Sequence, residues 1–330
     1  QIVGLAWSLD GDSLITLSQY ESLAVWDVKT GQPSRSINEH ASWVLDLDWS
    51  PNGSMLASGA ENGEIILWES VSGKKLRSFH DPAGWVRNVT WSPDGKEIAS
   101  GGQNEIKIWD VQTGEQVRTL PVNTQVSGLA WSPDGNMLAS ISYEGTTTLW
   151  DSSTGEQLRS LPANYSSMNL AWSPQGDRLS TTYPNFEGEQ VTLWDPHTGE
   201  PVLTNKGMHD LAWSPLGDIV ASISDNGTGE GRDDTTVVLW DPQTGEEIRS
   251  FNTGTFLTNI GWSPDGKLLV VSGAHEANHA LIVLDAQTGE QLHYLKGHYN
   301  VPTAVAWSPR GDFIASSSHD GTVIIWRIVP

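Results

Sequence analysis

The chain of 330 residues has no cysteine and few basic side chains. Without cysteine it has no disulfide framework, no thiolate nucleophile and no cysteine-ligated zinc, which fits a reducing compartment, and we expect a cytoplasmic protein. The 18 Lys and Arg against 40 Asp and Glu give a net charge of −22, which repels a phosphate backbone and argues against a nucleic-acid partner. No run reaches the roughly 18 apolar residues that cross a bilayer, so we expect no membrane partner.

Segments with the periodicity of an amphipathic helix are also missing, whereas tryptophan is abundant, with 17 residues. A Trp-Ser-x-x-Gly segment recurs eight times along the chain. The tryptophans that open these copies are Trp7, Trp49, Trp91, Trp131, Trp172, Trp213, Trp262 and Trp307. A second signature follows each copy, centred on Trp26, Trp68, Trp109, Trp150, Trp194, Trp240, Leu284 and Trp326.

Each repeat is predicted to contain four short antiparallel strands, a to d. In the segment MLASGAENGEIILWES (55–70), runs of apolar, small and β-branched residues are separated by an Asn-Gly pair suited to a tight turn. The Ser-Pro-Asp-Gly and Asp-x-x-Thr-Gly-Glu segments supply the other turns. Because strands a to c are apolar on both faces, each sheet must be covered on both sides. Eight such units predict an all-β, eight-bladed β-propeller that occupies residues 1–330 as one domain.

The repeat length, the closing Trp-Asp pairs and the Gly297-His298 pair resemble the WD-repeat β-propeller family over essentially the whole chain. The regular WSPDG and TGE segments are similar to prokaryotic WD-repeat arrays. The resemblance implies a non-catalytic interaction module. It also implies a structural hydrogen-bond set in the last unit, formed by His298, Ser318, Asp320 and Trp326.

The same set looks degraded in unit two, where Ala60 and Asn62 accompany His40 and Trp68. We therefore expect that blade to be held mainly by packing. Unit four departs as well, since Glu144 replaces the aspartate.

Only residues 327–330 follow strand c of unit eight, too few for a strand d. The last blade is therefore predicted to lack its outer strand within this chain. In propellers of the family resembled here, an N-terminal segment usually supplies that strand, so we expect upstream residues of a longer polypeptide. This favours, as an alternative function, a ligand-sensing domain of a larger prokaryotic signalling or NTPase-containing protein.

The segment HEANH (275–279) matches the zinc-protease pattern H-E-x-x-H. That pattern holds zinc only on a helix, where both histidines share one face. Here it falls between the predicted strands b and c of unit seven, so we expect a polar loop without a metal. No other motif joins a nucleophile to a base, and we predict no catalytic residue and no cofactor. An enzyme with an active site at the channel mouth is the remaining alternative.

Loop lengths point to one face of the ring. All of the lengthening lies in the b-to-c loops of units five, six and seven, which include the acidic run 225–234. In the family resembled, b-to-c and d-to-a loops emerge together on what we call the top face, and clustered insertions often mark a working side. Aromatic residues collect there, and they either fill the channel mouth or anchor a protein or peptide. The predicted contact residues are Trp43, Trp85, Tyr143, Tyr165, Tyr183, Phe186, Phe256 and His275.

Overall fold

The structure is a computed structural model that describes residues 2–18, 23–37, 40–70, 72–161, 169–183, 190–206, 208–224, 235–275 and 278–328. Within these ranges the chain forms eight antiparallel sheets, which are the blades of a closed ring. Seven sheets have four strands in the order a-b-c-d, and the last has three. The predicted eight-bladed propeller with an incomplete last blade is therefore confirmed.

The strands recur in the same order in every blade. Strands a are β1 (Ile2–Trp7), β5 (Val44–Trp49), β9 (Asn88–Trp91), β13 (Val126–Trp131), β17 (Asn169–Trp172), β21 (Met208–Trp213), β25 (Phe256–Trp262) and β29 (Pro302–Trp307). Strands b are β2 (Ser13–Ser18), β6 (Met55–Ala60), β10 (Glu97–Gly101), β14 (Met137–Ser142), β18 (Leu179–Tyr183), β22 (Val220–Ser224), β26 (Leu268–His275) and β30 (Phe313–Ser318). Strands c are β3 (Leu23–Asp27), β7 (Glu64–Glu69), β11 (Glu105–Asp110), β15 (Thr147–Asp151), β19 (Gln190–Trp194), β23 (Thr236–Trp240), β27 (Asn278–Asp285) and β31 (Val323–Arg327). Strands d are β4 (Pro33–Ile37), β8 (Lys75–His80), β12 (Gln116–Pro121), β16 (Gln157–Leu161), β20 (Pro201–Lys206), β24 (Glu247–Asn252) and β28 (Gln291–His298).

The hydrophobic core lies between blades rather than within them. In one cluster, Ile65 and Phe79 of blade 2 pack with Val89, Ile98 and other residues of blade 3. This arrangement explains why strands a to c are apolar on both faces, since each sheet is covered by two neighbours.

At five of the joints, the tryptophan that ends strand a bonds to the inner strand of the preceding blade, the donors being Trp7, Trp91, Trp131, Trp172 and Trp262. The indole N–H of Trp91 donates to the carbonyl of Asp48 in the preceding blade at 3.0 Å. The same bond closes the ring, because Trp7 of blade 1 donates to the carbonyl of Ala306 in blade 8 at 3.1 Å. A buried indole N–H usually has an acceptor, which the inner strand of the preceding blade supplies at these joints, whereas the indole N–H groups of Trp49 and Trp307 have none among the described residues.

Half-buried carboxylates add a second link between inner strands. Val89 N donates to Asp46 at 2.9 Å, and Trp91 N donates to Asp48 at 2.8 Å. Burial raises the pKa of Asp46 to about 7 and that of Asp48 to about 6, against the opposing effect of these backbone donors. The two side chains therefore satisfy backbone groups of the next inner strand, which has no strand pairing on that side.

Candidate protein-interaction face

Two sets of loops meet on the top face. A residue of the b-to-c turn donates its backbone N–H to a carbonyl just before strand a of the same blade. In blade 2 the donor is Glu61 and the acceptor is the carbonyl of Trp43, at 2.9 Å. In blade 4, Tyr143 donates to Gln125 at 2.6 Å. These bonds hold the turns and the loops against each other, so the side chains that they carry stand on a fixed backbone.

Trp43 and Trp85 occupy adjacent blades and share a connection through Glu61. Trp85 N donates to the carbonyl of Glu61 at 2.9 Å, while Glu61 N donates to Trp43. The Trp43 side chain is 53% exposed. Trp85 is half-buried, and the guanidinium of Arg87 lies 4.7 Å from its ring centroid. The two rings therefore differ, since one is open to solvent and the other is already covered by a cation.

The backbone of Trp85 has a φ of 29°, which a bulky side chain rarely adopts. Its N–H bond to Glu61 and the bond from Val86 N to the carbonyl of Ala60 at 3.0 Å fix the loop on both sides of this residue. Such a conformation costs on the order of 1–3 kcal/mol and persists only where its surroundings determine it.

The remaining predicted contact residues fall into three groups. Tyr143 is 64% exposed in the b-to-c turn of blade 4, and Phe256 is half-buried at the start of β25. Tyr183 is the last residue of β18, and His275 is the last residue of β26. Tyr165 and Phe186 lie outside the described residues.

One exposed aromatic residue was missed by the sequence analysis. Tyr299, in the d-to-a loop before β29, is 90% exposed. Its backbone N–H donates to a carboxylate oxygen of Asp320 at 2.8 Å, so the loop is fixed although the ring is free. Its position directly after the Gly297-His298 pair was the available signal.

The hydrogen-bond set of the last blade is centred on a different serine from the predicted one. His298 Nε2 lies 2.7 Å from the hydroxyl of Ser316, and Trp326 Nε1 donates to the same hydroxyl at 2.8 Å. Ser318 instead donates to the carbonyl of Asn300 at 2.9 Å. The prediction was wrong about the serine that meets the indole, because Ser318 lies at the end of β30, where its hydroxyl accepts from the backbone N–H of Asp320 at 3.1 Å.

Asp320 joins this set from the b-to-c turn, 3.3 Å from His298 Nδ1. Burial lowers the pKa of His298, and the carboxylate of Asp320 opposes that effect. Burial alone would raise the pKa of Asp320, but hydrogen bonds from Thr322 and from the N–H of Tyr299 outweigh it and hold the pKa below its ordinary value. The neutral imidazole and the ionised carboxylate therefore act together as a fixed support for the loop.

Blade 2 contains the histidine, serine and tryptophan of this set but no aspartate contact, since His40 Nδ1 lies 3.5 Å from Glu64 instead. His40 Nε2 lies 2.6 Å from the hydroxyl of Ser58, and Trp68 Nε1 donates to that hydroxyl at 2.8 Å. The expected degradation at Ala60 was therefore wrong, since the serine stands two residues earlier. Burial lowers the pKa of His40 to about 4, although the nearby carboxylate of Glu64 opposes the shift.

Blade 3 has a buried ion pair in the equivalent region. The Lys107 ammonium contacts Asp81 in the d-to-a loop and Glu105 at 2.8 Å. Burial alone would lower the pKa of Lys107, but the two carboxylates hold it above its ordinary value. The pair fastens this loop to strand c without a histidine, and nothing in its surroundings suggests catalysis.

His275, Asn278 and His279 of the HEANH segment lie at the facing ends of two paired strands. β26 ends at His275 and β27 begins at Asn278, with His275 paired to Asn278 and Ala274 paired to His279. The zinc-protease pattern requires two histidines on one face of a helix, whereas these two histidines lie on paired strands. In the described part of the chain there is no group of three or more side chains suited to hold a metal ion. The same ranges contain no helix long and apolar enough to cross a bilayer.

Comparisons with known proteins agree with this architecture. The family model described as IFT122 first beta-propeller matches residues 1–186, and the WD domain, G-beta repeat model matches residues 289–327. The crystal structure of the computationally designed Ika8 protein superposes with a TM-score of 0.80 at 25% identity, over 99% of this chain and 96% of that one.

Curated relatives are similar over shorter segments. The serine-threonine kinase receptor-associated protein of Gallus gallus is 33% identical over 81 residues, which are 24% of this chain and 22% of that protein. A probable cytosolic iron-sulfur protein assembly protein CIAO1 homolog of Schistosoma japonicum is 37% identical over 79 residues, 22% of this chain and 21% of that protein. The chain thus spans less than a quarter of the length of these relatives. Because the propeller model matches more than half of its residues, the chain belongs to the WD-repeat β-propeller family.

Proposed function

We propose that this propeller is a non-catalytic interaction module that binds a protein or peptide on its top face. The observation that carries the proposal is the set of three aromatic side chains, Trp43, Tyr143 and Tyr299, that are each more than half exposed on loops and turns of that face. Exposed aromatic groups on a rigid support are the usual anchors of protein interfaces.

The backbone beneath these anchors favours binding. Trp43, Tyr143 and Tyr299 each take part in a backbone hydrogen bond to a neighbouring loop or turn. A preorganised surface loses little conformational entropy when it binds, so more of the contact energy appears as affinity. The half-buried Trp85 and Phe256 fit a supporting role beside these anchors.

Two further points support the proposal. WD-repeat proteins generally act as interaction scaffolds, and the relatives include a receptor-associated protein and a probable assembly protein, as their names state. The hydroxyls of Ser58 and Ser316 each lie next to a histidine, but both are fully buried and accept an indole N–H, which fits a structural support rather than a nucleophile open to a substrate. We place this module in the cytoplasm, consistent with the absence of cysteine.

A comparison of two double variants tests the proposal. Trp43→Ala with Tyr143→Ala removes two anchors from the top face, and Leu158→Ala with Leu216→Ala removes two exposed leucines elsewhere. Each folded protein is used as bait in native lysate, and captured proteins are quantified by mass spectrometry. We expect a partner that the parent and the leucine variant retain and the aromatic variant loses. Equal capture by all three proteins would refute a role for these anchors.

A further inference from the structure

A polar cavity lies in blade 4, between its strands and the loop that leads in from strand d of blade 3. Its volume is about 230 Å³. The buried part of its lining includes Ser140, Ile141 and Trp150, and the exposed part includes Asn123 and Glu144. The cavity has room for several water molecules, and so for a five-membered ring with a short substituent. It therefore connects the interior of the blade with the solvent.

Blade 8 has an imidazole in the equivalent place. His298 Nε2 lies 2.7 Å from the hydroxyl of Ser316. His298 Nδ1 lies 3.1 Å from the hydroxyl of Thr322 and 3.3 Å from the carboxylate of Asp320. The ring stands edge-on to the indole of Trp326, with the centroids 6.3 Å apart and the planes inclined by 69°. Both nitrogens of the imidazole thus have polar partners, and one face of the site is an indole.

Blade 4 has a counterpart to each of these partners but no histidine. Val122 stands at the position of His298, since each precedes the tryptophan that ends strand a by nine residues. Counted from the same tryptophan, the four partner positions are occupied, in the same chain order, by Ser140, Glu144, Thr146 and Trp150. All four line the cavity, as does Val122. The cavity is therefore the space that an imidazole takes in blade 8, with the partners of that imidazole in its lining.

Blades 2 and 3 also place a nitrogen base beside a carboxylate in this region. In blade 2, His40 lies 2.6 Å from the hydroxyl of Ser58 and 3.5 Å from the carboxylate of Glu64. In blade 3, the ammonium of Lys107 lies 2.8 Å from the carboxylate of Glu105. Blade 4 has a carboxylic side chain in its b-to-c turn, whereas no lysine, arginine or histidine is among the described residues that line its cavity.

The hydroxyl of Ser140 is oriented to meet such a base. It accepts the N–H of Trp150 at 2.8 Å, and it makes no other hydrogen bond among the described residues. Its own O–H can therefore donate to the unprotonated nitrogen of a ring, in the place where Ser316 meets Nε2 in blade 8. The N–H on the other side of that ring would then face Glu144 and Thr146. The indole adds an edge-to-face contact, which aromatic pairs favour.

We propose that this cavity binds a small molecule that carries an imidazole ring with a free N–H. The ring accepts from Ser140 and donates to Glu144 or Thr146. In blades 2 and 8 the imidazole is attached to the d-to-a loop. In blade 4 that loop is itself in place, since Val122 N donates to the carbonyl of Asn104 at 3.0 Å. The backbone of a partner cannot take the position of this loop, which favours a free molecule as the ligand.

The histidine side-chain analogue 4-methylimidazole is the probe. The protein is purified without imidazole in any buffer and titrated at a pH at which the probe is neutral, and the Trp150 indole N–H resonance is followed by NMR. We expect a saturable shift with a dissociation constant at or below about 1 mM, which is within reach of so small a ligand. The analogue 1,4-dimethylimidazole keeps the accepting nitrogen but has no N–H, and it should bind at least about tenfold more weakly. Propylammonium controls for attraction of a cation to the carboxylate.

Matched protein variants locate the site. Val122→His carries the imidazole on the chain itself, and we expect its ring to meet Ser140 and to exclude 4-methylimidazole. Val122→Ala is its control, because it shortens the same side chain without adding a base, and it should bind the probe as the parent does. Glu144→Ala should weaken binding at least about tenfold. Glu156→Ala, which removes an exposed glutamate of the same blade outside the cavity, should leave binding unchanged. Melting temperatures confirm that each variant folds.

The proposal fails if 4-methylimidazole gives no saturable shift at Trp150, or if Val122→His or Glu144→Ala binds it as the parent does. It fails equally if propylammonium or 1,4-dimethylimidazole binds as tightly, since the site would then select charge or a ring without regard to its N–H. Tighter binding of a capped Gly-His-Gly peptide would assign the ring to a partner's side chain and overturn the assignment to a small molecule. Tyr143→Ala should bind the probe as the parent does, which separates this site from the aromatic anchors of the top face.

Discussion

The hydroxyl groups that receive the strand-c tryptophans provide a graded test of how buried polar networks stabilise the blades. Ser58 in blade 2 contacts both Trp68 Nε1 and His40 Nε2, at 2.8 and 2.6 Å. Ser140 in blade 4 accepts only from Trp150 Nε1, at 2.8 Å. Replacing each serine by alanine therefore removes partners from two buried groups in blade 2 and from one in blade 4.

The surroundings of the two serines increase the difference in stability that we expect between the two variants. A cavity of about 230 Å³ in blade 4 is lined by Ser140 and Trp150 as well as by Thr146 and Thr148. It is polar and large enough for water to replace the lost hydroxyl as the acceptor of the Trp150 indole. Each buried group left without a partner costs about 1–3 kcal/mol. We expect Ser58→Ala to lower the free energy of unfolding by about 3 kcal/mol, and Ser140→Ala by about 1 kcal/mol.

Urea unfolding of the parent and the two variants, followed by tryptophan fluorescence, measures this difference. Exchange of the Trp68 and Trp150 indole protons with solvent, observed by NMR, gives an independent local reading. Equal losses of stability, or a larger loss for Ser140→Ala, would refute the reasoning. The outcome would then show that packing around the tryptophans, rather than their hydrogen bonds, holds the blades.

Two further predictions concern the inner and outer strands. Burial raises the pKa of Asp46 to about 7 in the folded state, whereas the ordinary value of 3.8 applies in the unfolded state. Between these two pH values the folded state binds a proton that the unfolded state has released, so the free energy of unfolding falls as the pH rises. Asp46→Asn should remove this loss of stability. Urea midpoints of the parent and the variant at pH 5 and pH 8 would check it, and equal changes of the midpoint in both proteins would contradict the assigned burial of Asp46. On the outer strands, Leu120→Ala should cost about 2–5 kcal/mol and Leu158→Ala under about 1 kcal/mol, because the side chains are 1% and 47% exposed. Similar melting temperatures for these two variants would exclude the inter-blade contact of Leu120 as a main source of stability.

The repeat itself made most of the fold predictable. Eight copies of two tryptophan signatures set the number of blades, and the turn segments between them set the strand order. What the pattern did not decide was which hydroxyl meets each strand-c indole, because β30 offers three consecutive serines, 316–318.

Counting from the strand-a tryptophan resolves that choice. Ser58 and Ser316 each follow that tryptophan by nine residues. Blade 7, where Leu284 replaces the strand-c tryptophan, has Val271 at this position. The indole and the hydroxyl are therefore lost together, a signal that was present in the sequence.

The candidate site was less predictable than the fold. Exposure of a side chain depends on what its neighbours cover, and the sequence does not show that Arg87 lies over Trp85 while Trp43 is left open. Tyr299 directly follows His298, and the Gly-His pair that it adjoins indicates a structural role, so the sequence does not show how far this ring is exposed. Backbone bonds between loops, such as the one from Glu61 to Trp43, arise from the meeting of distant turns and leave no mark in a local motif.

The turns that follow the strand-a tryptophans contact one another around the whole ring. A Cβ at Gly95 would lie 3.7 Å from Pro51 Cδ in the preceding blade, and one at Gly11 would lie 3.6 Å from Pro309 Cδ in blade 8. The joint between the last blade and the first is thus made in the same way as a joint between consecutive blades. On this face the contacts between neighbouring blades continue around the ring without interruption. A circular permutant that starts at another blade would therefore close through the same glycine and proline contacts. In the described part of the chain, the discontinuity lies instead at the rim, where the sheet of blade 8 has three strands and the other sheets have four.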